Sequence, residues 1–304
     1  MPHPMDQRLT PGTALLLILP PLLWAGNAVV GRVVAPLVPP ITLNFLRWTL
    51  AFLLLLPFAW RLLRPGSPIW PRMLRRYAVL GLLGVGCYNA LQYLALKTST
   101  PLNVTLVGSS MPVFMLGLGA AFFGQRITRR QVAGAVLSIA GVLVVLSHGE
   151  LAHLATVRFV PGDLYMLLAT AAWALYSWLL TRPGDPPEVR SDWAGFLMAQ
   201  LVPGLLWSGL FAAGETAAGA QAIQWGWPLA LALVYVAVGP ALLAYRCWGM
   251  GVQRVGPNVA GFFSNLTPLF AALFSAAFLG LPPHLYHVLA FVLIVGGIVV
   301  SSRR

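Results

Sequence analysis

Polar and aromatic side chains within long apolar runs are the residues of this sequence that could hold a ligand. The densest group occupies one stripe of a helix, because its members are separated by spacings of three and four residues. These residues are Tyr88, Asn89, Gln92 and Tyr93. Amide and phenol groups are costly at membrane depth unless they bond neighbouring helices or line a polar cavity. We favour the cavity over interhelical packing.

Further candidates lie near the middle of other apolar runs. Trp24 and Trp173 lie too deep for the usual anchoring of tryptophan at a membrane interface, so we expect a cavity wall rather than buried packing alone. Pro112 and Pro268 each free a backbone carbonyl. Nearby polar side chains either bond to that carbonyl at a helix kink or contact a ligand instead. The predicted substrate-binding residues are Trp24, Asn27, Tyr88, Asn89, Gln92, Tyr93, Ser109, Ser110, Trp173, Tyr176, Trp248, Ser264 and Asn265.

Arg47 is the only basic residue well inside an apolar run. Its guanidinium could extend outward to the membrane surface, bond exposed carbonyls or meet a substrate carboxylate. We favour the two structural roles.

Acidic residues are absent from the middle of the apolar runs, since all seven lie in or beside loops. Proton and sodium relays in transporters usually need an intramembrane carboxylate, so we expect facilitated flow rather than ion-coupled pumping. A phosphate-binding glycine loop is absent as well, which argues against ATP. The five histidines are terminal or near loops, and His284 with His287 makes only a weak metal site. We predict no catalytic residue, no metal and no cofactor.

Composition places these residues in a membrane protein. Of the 304 residues, 59% are hydrophobic and 9% are charged, against about a quarter charged in soluble proteins. A spanning helix needs about 20 apolar residues, and the chain holds ten such runs, which predicts an all-α fold with ten transmembrane helices. The predicted spans are 12–33, 40–60, 76–96, 101–123, 130–147, 162–181, 192–212, 227–249, 256–279 and 285–301.

The basic residues predict the orientation. With the N-terminus inside, fifteen Lys and Arg fall in inner segments and three in outer ones, Arg32, Lys97 and Arg158. This bias places both termini in the cytoplasm. It also explains the net charge of +12 by topology, so we expect a lipid bilayer rather than nucleic acid as the partner.

An internal repeat divides the chain. Segments 112–124 and 268–280 share Pro, Phe and Gly at the same spacing, and an offset of 156 residues gives 11 identities in 33 positions. Chance similarity between two apolar helices would produce shared Leu, Val and Ala more readily than shared Pro, Phe and Gly at the same spacing. Residues 1–150 and 151–304 therefore form two predicted five-helix halves. Because five is odd, the second half is inverted, as in many secondary transporters with a substrate site between their halves.

These motifs resemble the drug/metabolite transporter superfamily, in its EamA-type ten-helix branch, over nearly the whole chain. The similarity rests on two short motifs, Trp24-Ala25-Gly26-Asn27 and Tyr93-Leu94-Ala95-Leu96, and on five single residues. Those five are Pro112, Gly124, Trp248, Pro268 and Gly280. Gln125 and Leu281 stand where the family often has Glu.

The resemblance implies two inverted halves in a bacterial inner membrane and export of small metabolites, amino acids among them. The chain is similar to bacterial exporters of aromatic amino acids. Helices 1, 3, 4, 6, 8 and 9 would surround the cavity, helices 2 and 7 would move, and helices 5 and 10 would pack behind through Gly134, Gly141, Gly296 and Gly297. Efflux of cationic drugs on the same aromatic walls, or a lipid-modifying membrane enzyme, are the alternatives.

Overall fold

The computed structural model describes residues 9–64, 69–99, 101–156, 158–186, 189–190, 192–279 and 284–302. Within these ranges every regular element is helical, and nine helices are long and apolar enough to cross a bilayer. Some residues used in the predictions lie outside the described ranges. They are Gly280 and Leu281, used for the repeat and the family motif, and both chain termini, used for the orientation.

The helices follow the predicted apolar runs closely, and we number them in chain order. They are α1 Pro11–Val34, α2 Pro40–Ala59, α3 Ile69–Leu80, α4 Tyr88–Thr98, α5 Pro101–Gly108, α6 Met111–Phe122, α7 Arg129–Leu146, α8 Pro161–Leu180, α9 Trp193–Ala217, α10 Trp227–Val236, α11 Ala244–Val255, α12 Pro257–Phe263, α13 Thr267–Leu279 and α14 Leu285–Ser302. Short 3₁₀ turns occupy Trp60–Leu63, Leu151–Thr156 and Ser264–Leu266.

Two predicted helices contain a π-helical turn at mid-length. Gly81–Cys87 joins α3 to α4, and Ala237–Leu243 joins α10 to α11. A π turn leaves backbone carbonyls available to other donors, and side chains from distant helices bond them. The Asn44 amide donates to the Val85 carbonyl at 2.9 Å, and the Trp24 indole donates to the Pro240 carbonyl at 3.3 Å. The π turns therefore tie separate helices together at mid-membrane.

Two further predicted helices are broken beside their prolines. A turn at Ser109–Ser110 separates α5 from α6, and the 3₁₀ turn Ser264–Leu266 separates α12 from α13. The second break divides the predicted span 256–279. Among the described residues, this predicted span is the one that does not appear as a continuous helix long enough to cross a membrane.

The element boundaries in the two parts of the chain are related by a constant offset. The helix Arg129–Leu146 and the helix Leu285–Ser302 differ by 156 residues at both ends. The π turns Gly81–Cys87 and Ala237–Leu243 differ by the same 156 residues. This is the offset of the sequence repeat, so equivalent sequences fold into equivalent elements.

The most extensive helix–helix contact pairs α7 with α14. A Cβ at Gly297 would lie 2.6 Å from the Gly134 carbonyl oxygen, and one at Gly141 would lie 2.9 Å from the Ala290 carbonyl oxygen. Glycine therefore permits close backbone approach at these positions. Gly296 has open space at its Cβ position, so this position faces away from the contact. The prediction that Gly296 takes part in this packing is therefore wrong.

The helix α9 runs to Ala217 rather than ending near residue 212, and it carries Glu215 into a buried position. The Glu215 carboxylate accepts hydrogen bonds from the Ile41 and Thr42 backbone amides at 3.2 and 2.8 Å. It thus caps α2, whose own N-cap residue Pro39 has no side-chain hydrogen bond. Sequence alone suggested a loop because the partner amides are about 170 residues away.

Two further buried carboxylates are bonded by side chains from other parts of the chain. Asp163, in the first turn of α8, bonds the Ser99 hydroxyl and, at 3.2 Å, the Asn103 amide. Asp185 pairs with Arg76 at 2.8 Å and Arg190 at 2.6 Å. Asp163 and Glu215 belong to spanning helices, but each lies close to a helix end, in agreement with the prediction that acids lie in or beside loops. Both are in terminal turns, where they act as caps.

Candidate functional site

A central cavity of about 120 Å³ lies between α1, α4, α5, α8 and the broken helix α12–α13. It receives ten of the thirteen predicted substrate-binding residues. They are Trp24, Asn27, Tyr88, Asn89, Gln92, Tyr93, Ser109, Trp173, Ser264 and Asn265. The four members of the helical stripe thus reach one wall, as their spacing predicts.

The other three predicted residues do not line the cavity. Tyr176 and Trp248 lie behind Trp173, with ring centroids 5.0 and 5.7 Å from its ring. The Ser110 hydroxyl donates to the Val107 carbonyl at 2.5 Å, so it satisfies the backbone at the break in the helix. These positions fit the packing and kink alternatives because the residues in front of them occupy the wall.

Trp173 is the centre of an aromatic cluster. Its ring centroid lies 5.2 Å from that of Trp24 at an interplanar angle of 90°, and 4.9 Å from that of Tyr88. Tyr245 contacts it edge to face at 5.1 Å. Offset and edge-to-face pairs are the favourable aromatic arrangements. The cluster therefore forms a stiff wall and leaves little room for its rings to rearrange.

Hydrogen bonds from other helices hold this wall in place. The Trp248 indole donates to the Ser177 hydroxyl at 3.0 Å, which in turn donates to the Trp173 carbonyl at 2.8 Å. The Tyr176 hydroxyl donates to the Gln200 amide oxygen at 3.0 Å. Helices α8, α9 and α11 thus position aromatic rings that the cavity needs.

Polar atoms of the wall are only partly satisfied by the protein. The Tyr93 hydroxyl donates to the Asn27 amide oxygen at 3.2 Å, and the Asn265 amide donates to the Ser138 hydroxyl at 2.9 Å. Among the described residues, the Trp173 indole nitrogen and the Asn265 amide oxygen have no hydrogen-bond partner. Buried polar atoms are seldom left unpaired, so these groups are available to a ligand.

The remaining hydroxyls at the breaks serve the backbone first. Ser109 donates to the Leu106 carbonyl and Ser264 donates to the Gly261 carbonyl, both at 2.6 Å. Their oxygens retain lone pairs that face the cavity region. The serines can therefore accept a hydrogen bond while they satisfy the carbonyls freed at each break.

Several wall residues are not among the thirteen predicted substrate-binding residues. They are Leu96, Val104, Thr105, Gly108, Met111, Met166, Thr267 and Pro268. The signal that could have found Val104, Thr105 and Gly108 on α5 is their helical spacing of three and four residues. Conversely, the eighth predicted helix, 227–249, was expected at the cavity but contributes no residue to the lining. Its C-terminal part, α11, supports Trp173 from behind through Trp248.

The cavity lies toward the end of the bundle that contains α4 and the N-terminal part of α8. In the other half, the Trp178 indole donates to the Met115 carbonyl at 2.8 Å and its ring stacks on Phe123 at 4.8 Å. Arg76 also bonds the Leu179 carbonyl at 3.3 Å. The bundle is thus packed closed at this end.

The cavity is lined without a carboxylate in the part of the chain that the structure describes. Arg47 contacts this wall, since one of its nitrogens lies 3.5 Å from the Tyr93 hydroxyl. The charge in contact with Tyr93 is therefore positive. This arrangement favours ligands that carry a negative group over ligands that carry only a positive one.

Comparison with known proteins shows which family the chain is similar to. The sequence profile of the EamA-like transporter family matches residues 12–147 and 160–303. The chain is 28% identical over 241 residues to an aromatic amino acid exporter of Ancylobacter novellus, which covers 79% of this chain and 77% of that relative. It is 28% identical over 272 residues to a probable amino-acid metabolite efflux pump of Salmonella typhimurium, covering 87% and 86%.

A solved crystal structure matches the fold with a TM-score of 0.72 at 24% identity, over 95% of this chain and 96% of that one. The names of the relatives describe transporters rather than enzymes. The comparisons confirm the resemblance drawn from the sequence motifs. Since the family profile covers most of its length, this multi-pass membrane protein belongs to the EamA-like transporter family.

Proposed function

We propose that this protein exports amino acids, aromatic and other neutral ones, across the bacterial inner membrane. The central cavity carries the proposal, because aromatic rings and unpaired polar atoms face one space. For scale, an apolar cavity of about 150 Å³ holds a benzene molecule, so about 120 Å³ is close to the size of one aromatic side chain. Two relatives are named for amino acids or their metabolites.

The two ends of an amino acid would meet different parts of the wall. The ring of Trp173 and that of Tyr88 would stack against the side chain. The Gln92 amide and the Trp173 indole N–H would donate to the carboxylate, while the Asn27 and Asn265 amide oxygens would accept from the ammonium group. Ser109 and Ser264 would contribute from the helix breaks.

The architecture that we propose has ten membrane helices in two inverted halves, residues 1–150 and 151–304. The shared offset of 156 residues in element boundaries supports it. So does the division of the family match into residues 12–147 and 160–303. Inverted halves allow one end of the bundle to open as the other closes around a fixed site.

Alternating access follows from this arrangement. The end packed by Trp178, Phe123 and the Asp185 ion pairs is closed, and on the proposed orientation, with both termini cytoplasmic, this end is the cytoplasmic one. The opposite state would require these contacts to separate. The ion pair of Asp185 with Arg76 joins α3 to the segment before α9, so it lies where such a gate would move.

Export is proposed to be facilitated rather than coupled to protons or sodium. The buried carboxylates of Asp163 and Glu215 are engaged in caps at helix ends. Neither contributes to the cavity wall. A carboxylate that carries ions usually faces the substrate path.

The test is exchange in liposomes that contain the purified protein. Labelled amino acid should enter in exchange for unlabelled amino acid inside, fastest for phenylalanine, tryptophan and tyrosine across a panel of twenty. Gln92→Ala should slow this exchange while the protein stays inserted. A protein that exchanges a quaternary-ammonium dye but no amino acid, or that alters its substrate chemically, would contradict the proposal.

A further inference from the structure

Arg47 is a fully buried cation in α2, with 0% of its surface exposed. One nitrogen, Nη1, lies 3.5 Å from the Tyr93 hydroxyl oxygen, and the guanidinium carbon lies 5.2 Å from the centre of the Trp48 ring. Two of the roles open to it on sequence grounds are not observed. It does not extend to the surface, and it makes no hydrogen bond to a backbone carbonyl of the described chain.

The other two guanidinium nitrogens, Nε and Nη2, have no hydrogen-bond partner among the described residues. These two atoms form one edge of the planar group. That edge presents two parallel N–H bonds, which match the two oxygens of a carboxylate. The unsatisfied part of Arg47 is thus the part that recognises a carboxylate in bidentate fashion.

A counter-ion is missing for this charge within the described protein. None of its five described carboxylates, Glu150, Asp163, Asp185, Asp192 and Glu215, forms an ion pair with Arg47. Arginine does not lose its proton in proteins, and a buried charge without a partner is strongly unfavourable. An anion that binds and leaves would relieve this cost during part of a transport cycle.

Arg47 lies one side chain behind the cavity wall. Its Nη1 contacts Tyr93, and the Tyr93 hydroxyl bonds Asn27, and both of these residues line the cavity. A movement of the Tyr93 ring, with a turn of the guanidinium that brings its Nε–Nη2 edge round to the space left by that ring, would therefore join Arg47 to the cavity. Helix α2 also packs extensively on α9, so Arg47 is on the pair of helices expected to move.

We propose that Arg47 binds the carboxylate of the substrate through Nε and Nη2, at a step of the transport cycle after the Gln92 and Trp173 donors have released it, and thereby restricts transport to carboxylate-bearing molecules. This inference rests on the proposed function and sharpens it, since it assigns amino acids and other carboxylates to the cavity and excludes amines that lack a carboxylate. Arg47 is then a specificity-determining residue. Its unpaired state in the ligand-free protein is part of the binding site.

The first measurement is the thermal stability of the purified, ligand-free protein. Arg47→Met should raise the midpoint of unfolding, because it removes an unpaired buried charge and keeps an apolar stem of similar length. A structural arginine would give the opposite result. A lower midpoint for Arg47→Met, together with unchanged ligand discrimination, would overturn the proposal.

The second measurement compares four ligands by their stabilisation of the protein and their competition with labelled phenylalanine in liposomes. Phenylalanine and 3-phenylpropionate carry the carboxylate, whereas phenylalaninamide and phenethylamine lack it. The wild type should prefer the first pair by about tenfold to a hundredfold, in line with a charge-assisted bidentate contact. Arg47→Gln should reduce this preference to less than twofold, and the exposed-charge control Arg158→Gln should retain it.

If neither Arg47→Met nor Arg47→Gln folds, the charged variant Arg47→Lys still tests the proposal. Lysine keeps the charge but lacks the planar edge, so its carboxylate preference should fall at least fivefold below that of the wild type. A lysine variant with full preference would overturn the bidentate contact. Stabilisation of wild type by chloride alone to the same extent as by phenylpropionate would overturn the carboxylate assignment.

The two proposals fail separately. If amino acids are exchanged with the same carboxylate preference in Arg47→Gln, the role of Arg47 is refuted and the export function stands. If no amino acid is exchanged but 3-phenylpropionate stabilises the protein only when Arg47 is present, the amino acid assignment is refuted and the carboxylate site stands.

Discussion

Replacing Trp173 by alanine tests whether the aromatic cluster is the wall of a substrate site. Trp173 is 1% exposed and its ring contacts those of Trp24, Tyr88, Tyr245 and others at centroid distances of about 5 Å. Removal of a buried Trp costs about 3–5 kcal/mol of folding free energy in soluble proteins. Separately, the loss of one stacking contact to a substrate weakens substrate binding by about 1 kcal/mol, which raises Kd about fivefold.

Because the two effects differ, they can be measured apart. Trp173→Ala should lower the midpoint of thermal unfolding and also weaken phenylalanine exchange, and Trp173→Phe should recover most of the stability but only part of the exchange. Trp227→Ala is the control, since that ring is 81% exposed at the start of α10 and should change neither. If Trp173→Ala is stably inserted and exchanges phenylalanine at the wild-type rate, the reasoning that places substrate against this wall is refuted.

Three further predictions concern packing, orientation and energetics. Gly297→Ala should destabilise the protein by about 1–3 kcal/mol through overpacking, because its Cβ would meet the Gly134 carbonyl at 2.6 Å. Gly296→Ala, with open space at that position, should be neutral or stabilising in the same thermal measurement. Reporter fusions after Arg304 and within residues 150–158 should fall on opposite sides of the membrane, and the same side for both would remove the inverted-repeat argument. Flux in sealed vesicles should follow the substrate gradient alone, and uphill accumulation driven by a pH or sodium gradient would show coupling.

Helix positions were predictable from the sequence because the bilayer restricts what can span it. A spanning segment must be apolar over about 20 residues and must satisfy its own backbone. The predicted segment 130–147 accordingly differs by one residue at each end from the observed Arg129–Leu146. Its start is also set locally, since Thr128 and Gln131 form a capping box.

Interruptions within helices were less predictable. The breaks at Ser109–Ser110 and Ser264–Leu266 lie beside prolines that the sequence displays. The π turn Gly81–Cys87 had no such signal, because it depends on distant donors, Asn44 and Tyr245, that bond its carbonyls. The end of α9 likewise depended on backbone amides of α2, which donate hydrogen bonds to the Glu215 carboxylate.

The sequence by itself determined which residues are polar within the membrane and which of them share a helix face, because helical periodicity is a local property. The stripe from Tyr88 to Tyr93 follows from that periodicity. Tertiary structure decided which faces meet, and so it brought this stripe to Trp173 and Asn265 while it placed Trp248 and Tyr176 behind the wall. It also decided that Arg47 is buried with one edge unpaired, since a partner for a charge is supplied by other helices and not by its own.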